Sequence, residues 1–247
     1  MNLNSKGSLT AKNGFNNEKD IVLKFNNWEE DFEAQEWLKI MNYDISEIDF
    51  VHAVILSGYK TDVQVQVTIK LKKAIDIQNL QVKLVSNTKG FNQIDKRWID
   101  KYVNQWNIPK NIESILKRYT GEENPSILNP KDKRRMFANE FTENEQKNLI
   151  NWLENNKTLI VSDIIKGQGK FAAEWMLVAQ KTIENARWVL KSINFCLNFF
   201  GNGDVLLTDR GNIKIGRITM QRKGGDGGRE TAKMLQFKIN PAELFNI

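Results

Sequence analysis

Between Lys60 and Ile69 apolar and polar side chains alternate, with Val63, Val65, Val67 and Ile69 set against Gln64, Gln66 and Thr68. Successive side chains of a strand point to opposite faces, so this pattern predicts a strand with one face buried. A second short strand, Leu80–Val85, follows. Two strands do not hold together alone in water and need further cover. Helical patterns supply it. One follows Asn26-Asn27, with Trp28, Phe32, Trp37, Leu38 and Met41 on its apolar side. In another, Ile94, Trp98, Ile99, Tyr102, Val103 and Trp106 recur at helical spacing, and a further helix follows Pro109. Thr142 and Glu145 form a capping box that opens a helix reaching about Glu154. Glu184–Phe200 reads as a largely apolar helix ended by Gly201, and the polar, Asn/Lys-rich residues 1–20 read as a loose arm. The expected fold is therefore α/β, a central mixed β-sheet flanked by helices.

The later part of the chain is richer in strands. Gly167-Gln168-Gly169 breaks the chain before a candidate strand at Phe171–Gln180. Val205–Thr208, Ile213–Met220 and Met234–Ile239 are further candidates, the last two separated by a long Gly-rich loop. Asn240 followed by Pro241 reads as an N-cap with Pro at N1, opening a short final helix. Gly121–Asp132 holds two of the four prolines. It predicts a division into residues 1–120, carrying the two N-terminal strands, and residues 130–247, completing the same fold.

Composition narrows the chemistry. One cysteine, Cys196, excludes an internal disulfide framework and a Cys-rich zinc site, and one histidine, His52, excludes multi-histidine metal centres. His52 lies in an apolar stretch and Cys196 in an apolar helical pattern, so neither is assigned a role. Lys plus Arg is 36 against 30 for Asp plus Glu, a formal charge of +6, which allows a polyanion partner. The N-terminus has no apolar run of the signal-peptide kind, and no apolar stretch reaches the ~18 residues of a membrane span. The expected location is cytoplasmic.

The residues with the clearest chemical potential are Asp62 and, on the second strand, Gln81 and Lys83. Gln81 and Lys83 are two apart and so share a face. If the two strands pair antiparallel as neighbours, Asp62 joins them. A carboxylate and an amide oxygen are hard ligands suited to Mg²⁺, and a lysine beside them places positive charge near an attacking water or a scissile phosphate. This layout resembles the PD-(D/E)xK nuclease core, in which a strand-borne Asp precedes a D/E-x-K strand. Gln81 stands where the second acid is usual, and Thr61 where the proline is. Both departures fit the MspI-like type II restriction endonucleases, where an amide occupies the second metal position, and the total length and strand spacing are similar to the GCGC-reading HinP enzyme of that branch. The resemblance implies Mg²⁺-dependent cutting of double-stranded DNA within a four-base palindrome to leave two-base 5′ overhangs. It also implies a companion DNA methyltransferase and a protein that can engage its site as a monomer. Asp62 and Gln81 are then expected to hold metal, with the Val82 carbonyl as third ligand, and Lys83 to orient water and stabilise the transition state. A helix acid completes many such sites; Glu30 and Glu36 are the candidates here.

DNA contacts are expected from two segments. Arg217, Gln221, Arg222, Lys223, Arg229 and Lys233 accompany the Gly-rich loop and can meet phosphates or base edges; the bland alternative is a solubilising hairpin tip. Lys131–Arg135 is a second basic cluster. The turn from Thr88 to Gln93, with Lys96 and Arg97 beyond it, offers Lys89, Asn92 and Gln93 as polar contacts. Phe91 in that turn either wedges between base steps or folds back as a staple on the Trp98 helix. Two rivals share these features: a repair nuclease or junction resolvase with the same core, and a DNA-binding protein without catalysis.

Overall fold

The computed structural model describes residues 3–69, 74–86, 90–181, 186–225 and 228–247. They form two compact units, each discontinuous in sequence: described residues within 5–90, 166–196 and 240–247 in one, and within 91–165 and 197–239 in the other. The Pro-rich stretch 121–132 falls inside the second unit rather than between the two.

In the first unit five strands lie in the order β1 (Ile48–Ile55), β2 (Val63–Ile69), β3 (Ala74–Val85), β5 (Trp175–Lys181) and β6 (Ala186–Ser192). All neighbours are antiparallel except β3 and β5, which run parallel, so the sheet is mixed. The predicted alternation holds: Val63, Val65 and Val67 are fully buried. They pack with Leu80, Val82, Ile21, Phe25, Trp37 and Leu38 in one core. Fully burying an aliphatic side chain of this size contributes about 1.5–3 kcal/mol, so the three valines alone commit this face to the helices above it.

Those helices are α1 (Leu3–Asn26) and α2 (Phe32–Ile40). The first corrects the expectation of a loose arm. Its sequence is too rich in Asn, Gly and Lys to announce a helix, but Asn17, Ile21 and Phe25 fall at i, i+4 and i+8 and are buried against the sheet. Asp31 caps α2, its side chain accepting the Ala34 N–H at 2.9 Å. The strand β6 corrects the expected helix over Glu184–Phe200. Trp188, Val189 and Leu190 favour a sheet position, and residues 186–192 pair with β5 throughout. The helix α7 begins only at Ile193 and runs to Gly201. β1 carries no strict alternation and went unpredicted. The final Pro241–Asn246 segment is the short helical turn expected, in 3₁₀ form.

The second unit is built on an all-antiparallel sheet in the order β4 (Asn92–Arg97), β10 (Leu235–Ile239), β9 (Ile218–Arg222), β8 (Ile213–Ile215) and β7 (Val205–Leu207). β4 corrects the helix expected from Ile94. Residues 92–97 pair with β10, and α3 (Ile99–Trp106) starts only after Trp98. The expected strand Ile213–Met220 is two strands, β8 and β9, joined by a turn at Gly216 with φ 57°. A Cβ there would lie 2.6 Å from the Asn202 carbonyl oxygen, so only glycine fits. The helices α4 (Lys110–Thr120), α5 (Glu143–Asn155) and α6 (Lys157–Ile165) complete the unit. Thr142 and Glu145 form the predicted capping box of α5. One sheet face is apolar. Phe237 meets Tyr102 and Trp106 edge to face, and Tyr119 donates its hydroxyl to the Met220 carbonyl at 3.1 Å. No helix of the described residues is long and apolar enough to cross a membrane.

Candidate active site

Asp62 sits one residue before β2, and its backbone N–H bonds to the Leu80 carbonyl at 2.9 Å. Val63 pairs with Leu80, so the antiparallel ladder carries Asp62 alongside Gln81. The expected convergence therefore forms. Asp62 Oδ2 accepts the Val82 N–H at 2.7 Å and lies 3.9 Å from Lys83 Nζ. The Asp62 and Lys83 side chains are only 25% and 14% exposed, so their charges act in reduced solvent screening.

Gln81 is 1% exposed, and its Oε1 is buried without a hydrogen-bond partner among the described residues. A buried amide oxygen left unsatisfied costs about 1–3 kcal/mol. Its position beside Asp62 makes it an oxygen donor in want of an electrophile. Asp62, Gln81 Oε1 and the Val82 carbonyl are all hard oxygen donors, so the residues present fit a Mg²⁺-like cation. No cluster of three or more His, Cys, Asp or Glu suited to a metal exists among the described residues.

Glu30 and Glu36, the expected helix acids, are both on the surface. Glu30 is exposed, and Glu36 pairs with Lys39 at 2.7 Å. Glu18 of α1 is the acid that senses the site. Burial raises its carboxyl to a pKa of about 7; the Asp62 charge adds to the rise and Lys83 opposes it. No periodicity in the sequence could reveal it, because residues 1–20 look like an unstructured arm. Thr61, in the position usual for proline, is fully buried and donates its hydroxyl to the Phe171 carbonyl at 2.8 Å. Asn79, two residues before Gln81 on the same face, donates to the Lys170 and Ala172 carbonyls and accepts from Gln64. These bonds fix the strand ends from which the reactive side chains project.

In the second unit β4 carries Asn92, Gln93, Lys96 and Arg97 and β9 carries Gln221 and Arg222 among the expected DNA-contact residues, and alternation sorts them. Arg97 is engaged on the covered face, with Asp163 at 2.7 Å, Asp95 at 3.1 Å and Gln105 at 2.7 Å. Asp163 is 2% exposed, so this is a structural ion cluster. Arg222 also turns that way, its Nε donating to the Thr120 carbonyl at 2.7 Å. β9 runs through Arg222, so strand alternation holds there and turns Gln221 and Arg222 to opposite faces. Gln221 faces the opposite side with its cross-strand neighbour Gln236, which pairs on its other side with Lys96. Asn92 and Gln93 open β4, and Phe91 just before them is 54% exposed. Lys89 lies outside the described residues.

The basic residues of the Gly-rich loop do not form one patch. Arg217 stacks on Phe199 at 4.4 Å, at the start of β9, while Lys223 follows its end. The two are separated by the strand's length, roughly 20 Å. Lys223 and Gly224 hydrogen-bond back to Met234 and Ala232, closing the loop at its base. Arg229 is exposed beyond it, and Lys233 pairs with Glu230 at 2.9 Å. In the Lys131–Arg135 cluster, Arg134 grips Asp132 through two bonds of 2.9 Å and holds its carboxyl down at about 2. Arg135 stacks on Phe137 at 4.1 Å.

Compared with curated protein sequences, the chain gives no match. Among solved structures it is similar to the restriction endonuclease MspI in complex with its cognate DNA, with a TM-score of 0.67 at 16% identity, over 94% of this chain and 91% of that one. The match bears out the α/β class and the central mixed sheet flanked by helices. The family model for the R.HinP1I restriction endonuclease matches residues 41–245. With most of its length inside that match, and with the family's fold around Asp62, Gln81 and Lys83, the chain belongs to the R.HinP1I restriction endonuclease family and is a type II, site-specific deoxyribonuclease.

Proposed function

We propose that the enzyme cleaves double-stranded DNA at the palindrome GCGC, leaving two-base 5′ overhangs, in a Mg²⁺-dependent reaction centred on Asp62, Gln81 and Lys83. The observation that carries the metal and the reaction is the buried, unpartnered Gln81 oxygen beside the Asp62–Lys83 pair. The palindrome and the overhang rest on the family resemblance, and a double-stranded DNA substrate is supported further by the MspI complex.

Asp62, Gln81 Oε1 and the Val82 carbonyl would hold the cation, which supplies charge neutralisation at the scissile phosphate and a more acidic water. The protein's own part is positional and electrostatic. Asp62 is fixed by the Val82 N–H, and Lys83 beside it orients the incoming water. The Lys83 ammonium offsets the negative charge that builds on the phosphate as the water attacks, acting where solvent screens it little. Burial raises the Glu18 carboxyl well above the usual range, so it opposes an approaching phosphate less than an ordinary carboxylate would. In the second unit, Lys96, Gln93 and Gln221 share a polar sheet face suited to DNA, with Phe91 and Asn92 at its edge; Arg217, Lys223, Arg229 and Lys233 are phosphate contacts, and so is Lys89. We place the enzyme in the cytoplasm, engaging DNA as a monomer or a dimer, with a methyltransferase that protects host sites without touching it.

The test is digestion of DNA of known sequence with Mg²⁺. Discrete fragments ending at GCGC support the reading. Structure-selective nicking would point instead to a repair nuclease or resolvase, and fragments ending elsewhere would remove the assigned palindrome.

A further inference from the structure

Three glutamines lie in a connected row across β9, β10 and β4. Gln221 Nε2 donates to Gln236 Oε1 at 3.4 Å, and Gln236 Nε2 donates to Gln93 Oε1 at 2.7 Å. Gln236 is 6% exposed, whereas Gln93 is exposed and Gln221 half-buried. The middle amide therefore uses its oxygen on one neighbour and its nitrogen on the other and is too covered to meet a ligand. The outer two have a group left for one. Gln93, accepting through its oxygen, offers N–H; Gln221, donating through its nitrogen, offers C=O. Rotating Gln236 by half a turn reverses both bonds and both ends together. In either setting the groups turned away from the row are a donor at one end and an acceptor at the other; two donors or two acceptors would need the second N–H or second lone pair of a group already bonded within the row.

We propose that Gln236 is a positioning residue for sequence readout: it locks Gln93 and Gln221 in opposite polarity, so that the row reads two base edges of opposite polarity as one unit. The chemistry recognised is a hydrogen-bond acceptor of the guanine O6/N7 kind facing Gln93 and an exocyclic amine of the cytosine N4 kind facing Gln221. A major-groove G·C edge offers both within side-chain reach. Gln236 touches no base in this arrangement, and no pattern in the sequence marks it, since it reads as one more polar position on a strand. Independent readers would give independent, additive costs for base changes. A locked row makes them coupled: changing one base breaks the match at one end, whereas changing both to swap donor for acceptor lets the whole row turn over and recovers part of the loss.

This inference rests on the restriction-enzyme reading above, and the experiment separates the two. Wild-type protein and Gln236→Met are compared for cleavage of a library holding the preferred site and all its single and double base changes, with Mg²⁺, at several salt concentrations. Methionine keeps the length of the side chain and removes both amide groups, and a thermal melt checks that the variant folds. The expected result has two parts. Wild type shows marked non-additivity between two particular positions, and Gln236→Met loses that non-additivity and relaxes discrimination at the same positions by about tenfold each. Its salt dependence should be unchanged, because no phosphate contact is lost. Gln236→Glu provides a second arm. A carboxylate only accepts, so both neighbours must donate to it and Gln93 must turn its oxygen outward. The preference should then move toward an exocyclic amine at the Gln93 end alone. If wild type cuts at discrete sites but folded Gln236→Met keeps its discrimination, or weakens cutting of every sequence equally, the positioning role is wrong while the enzyme assignment stands. If wild type yields no discrete fragments, the restriction reading falls and takes this inference with it.

Discussion

Glu18→Gln isolates the electrostatic cost of the active site to the fold. The Glu18 carboxyl is raised from 4.5 to about 7, chiefly by burial, then by Asp62. A shift of that size has a ceiling of about 3 kcal/mol; partial exposure of the group cuts this to about 1–2 kcal/mol. The sign follows from proton counts. Between pH 4.5 and 7 the folded chain holds a proton on Glu18 that the unfolded chain has released. Stability therefore falls as pH rises through this window, and the full cost is present above it. Glutamine mimics the protonated acid and removes the slope. In chelator, so that no cation alters the charges, the variant should melt at nearly the wild-type temperature at pH 5. At pH 8 it should melt about 2–8 °C higher, given about 2–4 °C per kcal/mol for a chain of this size. Asp62→Asn should narrow the gap, since it removes a charge that raises the Glu18 pKa, and Lys83→Met should widen it. The reasoning fails if the wild-type and Glu18→Gln melting curves stay parallel from pH 5 to 8, or if Asp62→Asn leaves the gap unchanged.

Other expectations concern cutting and binding. Asp62→Ala and Lys83→Ala should each slow cleavage by at least about a hundredfold, the usual loss for one charge-stabilising group, while specific DNA binding largely survives; near wild-type rates in either folded variant would remove the catalytic assignment. Gln81→Glu should tighten Mg²⁺ binding by the free protein, because it adds a negative ligand where a neutral oxygen is now buried and unpartnered. In the wild type, titration calorimetry should show tighter Mg²⁺ binding with DNA present than without it, since phosphate supplies the charge that Gln81 lacks. Phe91→Ala should leave the melting temperature within about 2 °C, because the ring is 54% exposed. If Phe91 wedges into DNA, the same change should weaken cognate binding by about tenfold or more; a large fall in melting temperature with unchanged affinity would make it a core residue.

The sequence showed the parts of this protein whose physics is local. The β2 alternation, the Thr142–Glu145 box and the Asn240-Pro241 turn each depend on near neighbours, and each stands where expected. The site core was legible for a related reason: two antiparallel strands close in sequence leave little choice of register once their buried faces are fixed. What stayed hidden depends on distant partners. Residues 92–97 are a strand because β10, some 140 residues later, offers an edge to pair with. Residues 186–192 are a strand because β5 does the same, although their composition suits a helix nearly as well. The helix α1 forms because Ile21 and Phe25 find a sheet to bury against, which outweighs a poor helical composition. Glu18 was lost with it. The basic loop misled for the converse reason. Charge on a page has no direction, and strand alternation aims Arg222 and Arg97 at the covered face, where the Thr120 carbonyl and buried carboxylates hold them. The same alternation puts uncharged glutamines and Lys96 on the open face. Glutamines on that face fit the proposed sequence readout, since a base edge is told from its rivals by where donors and acceptors stand.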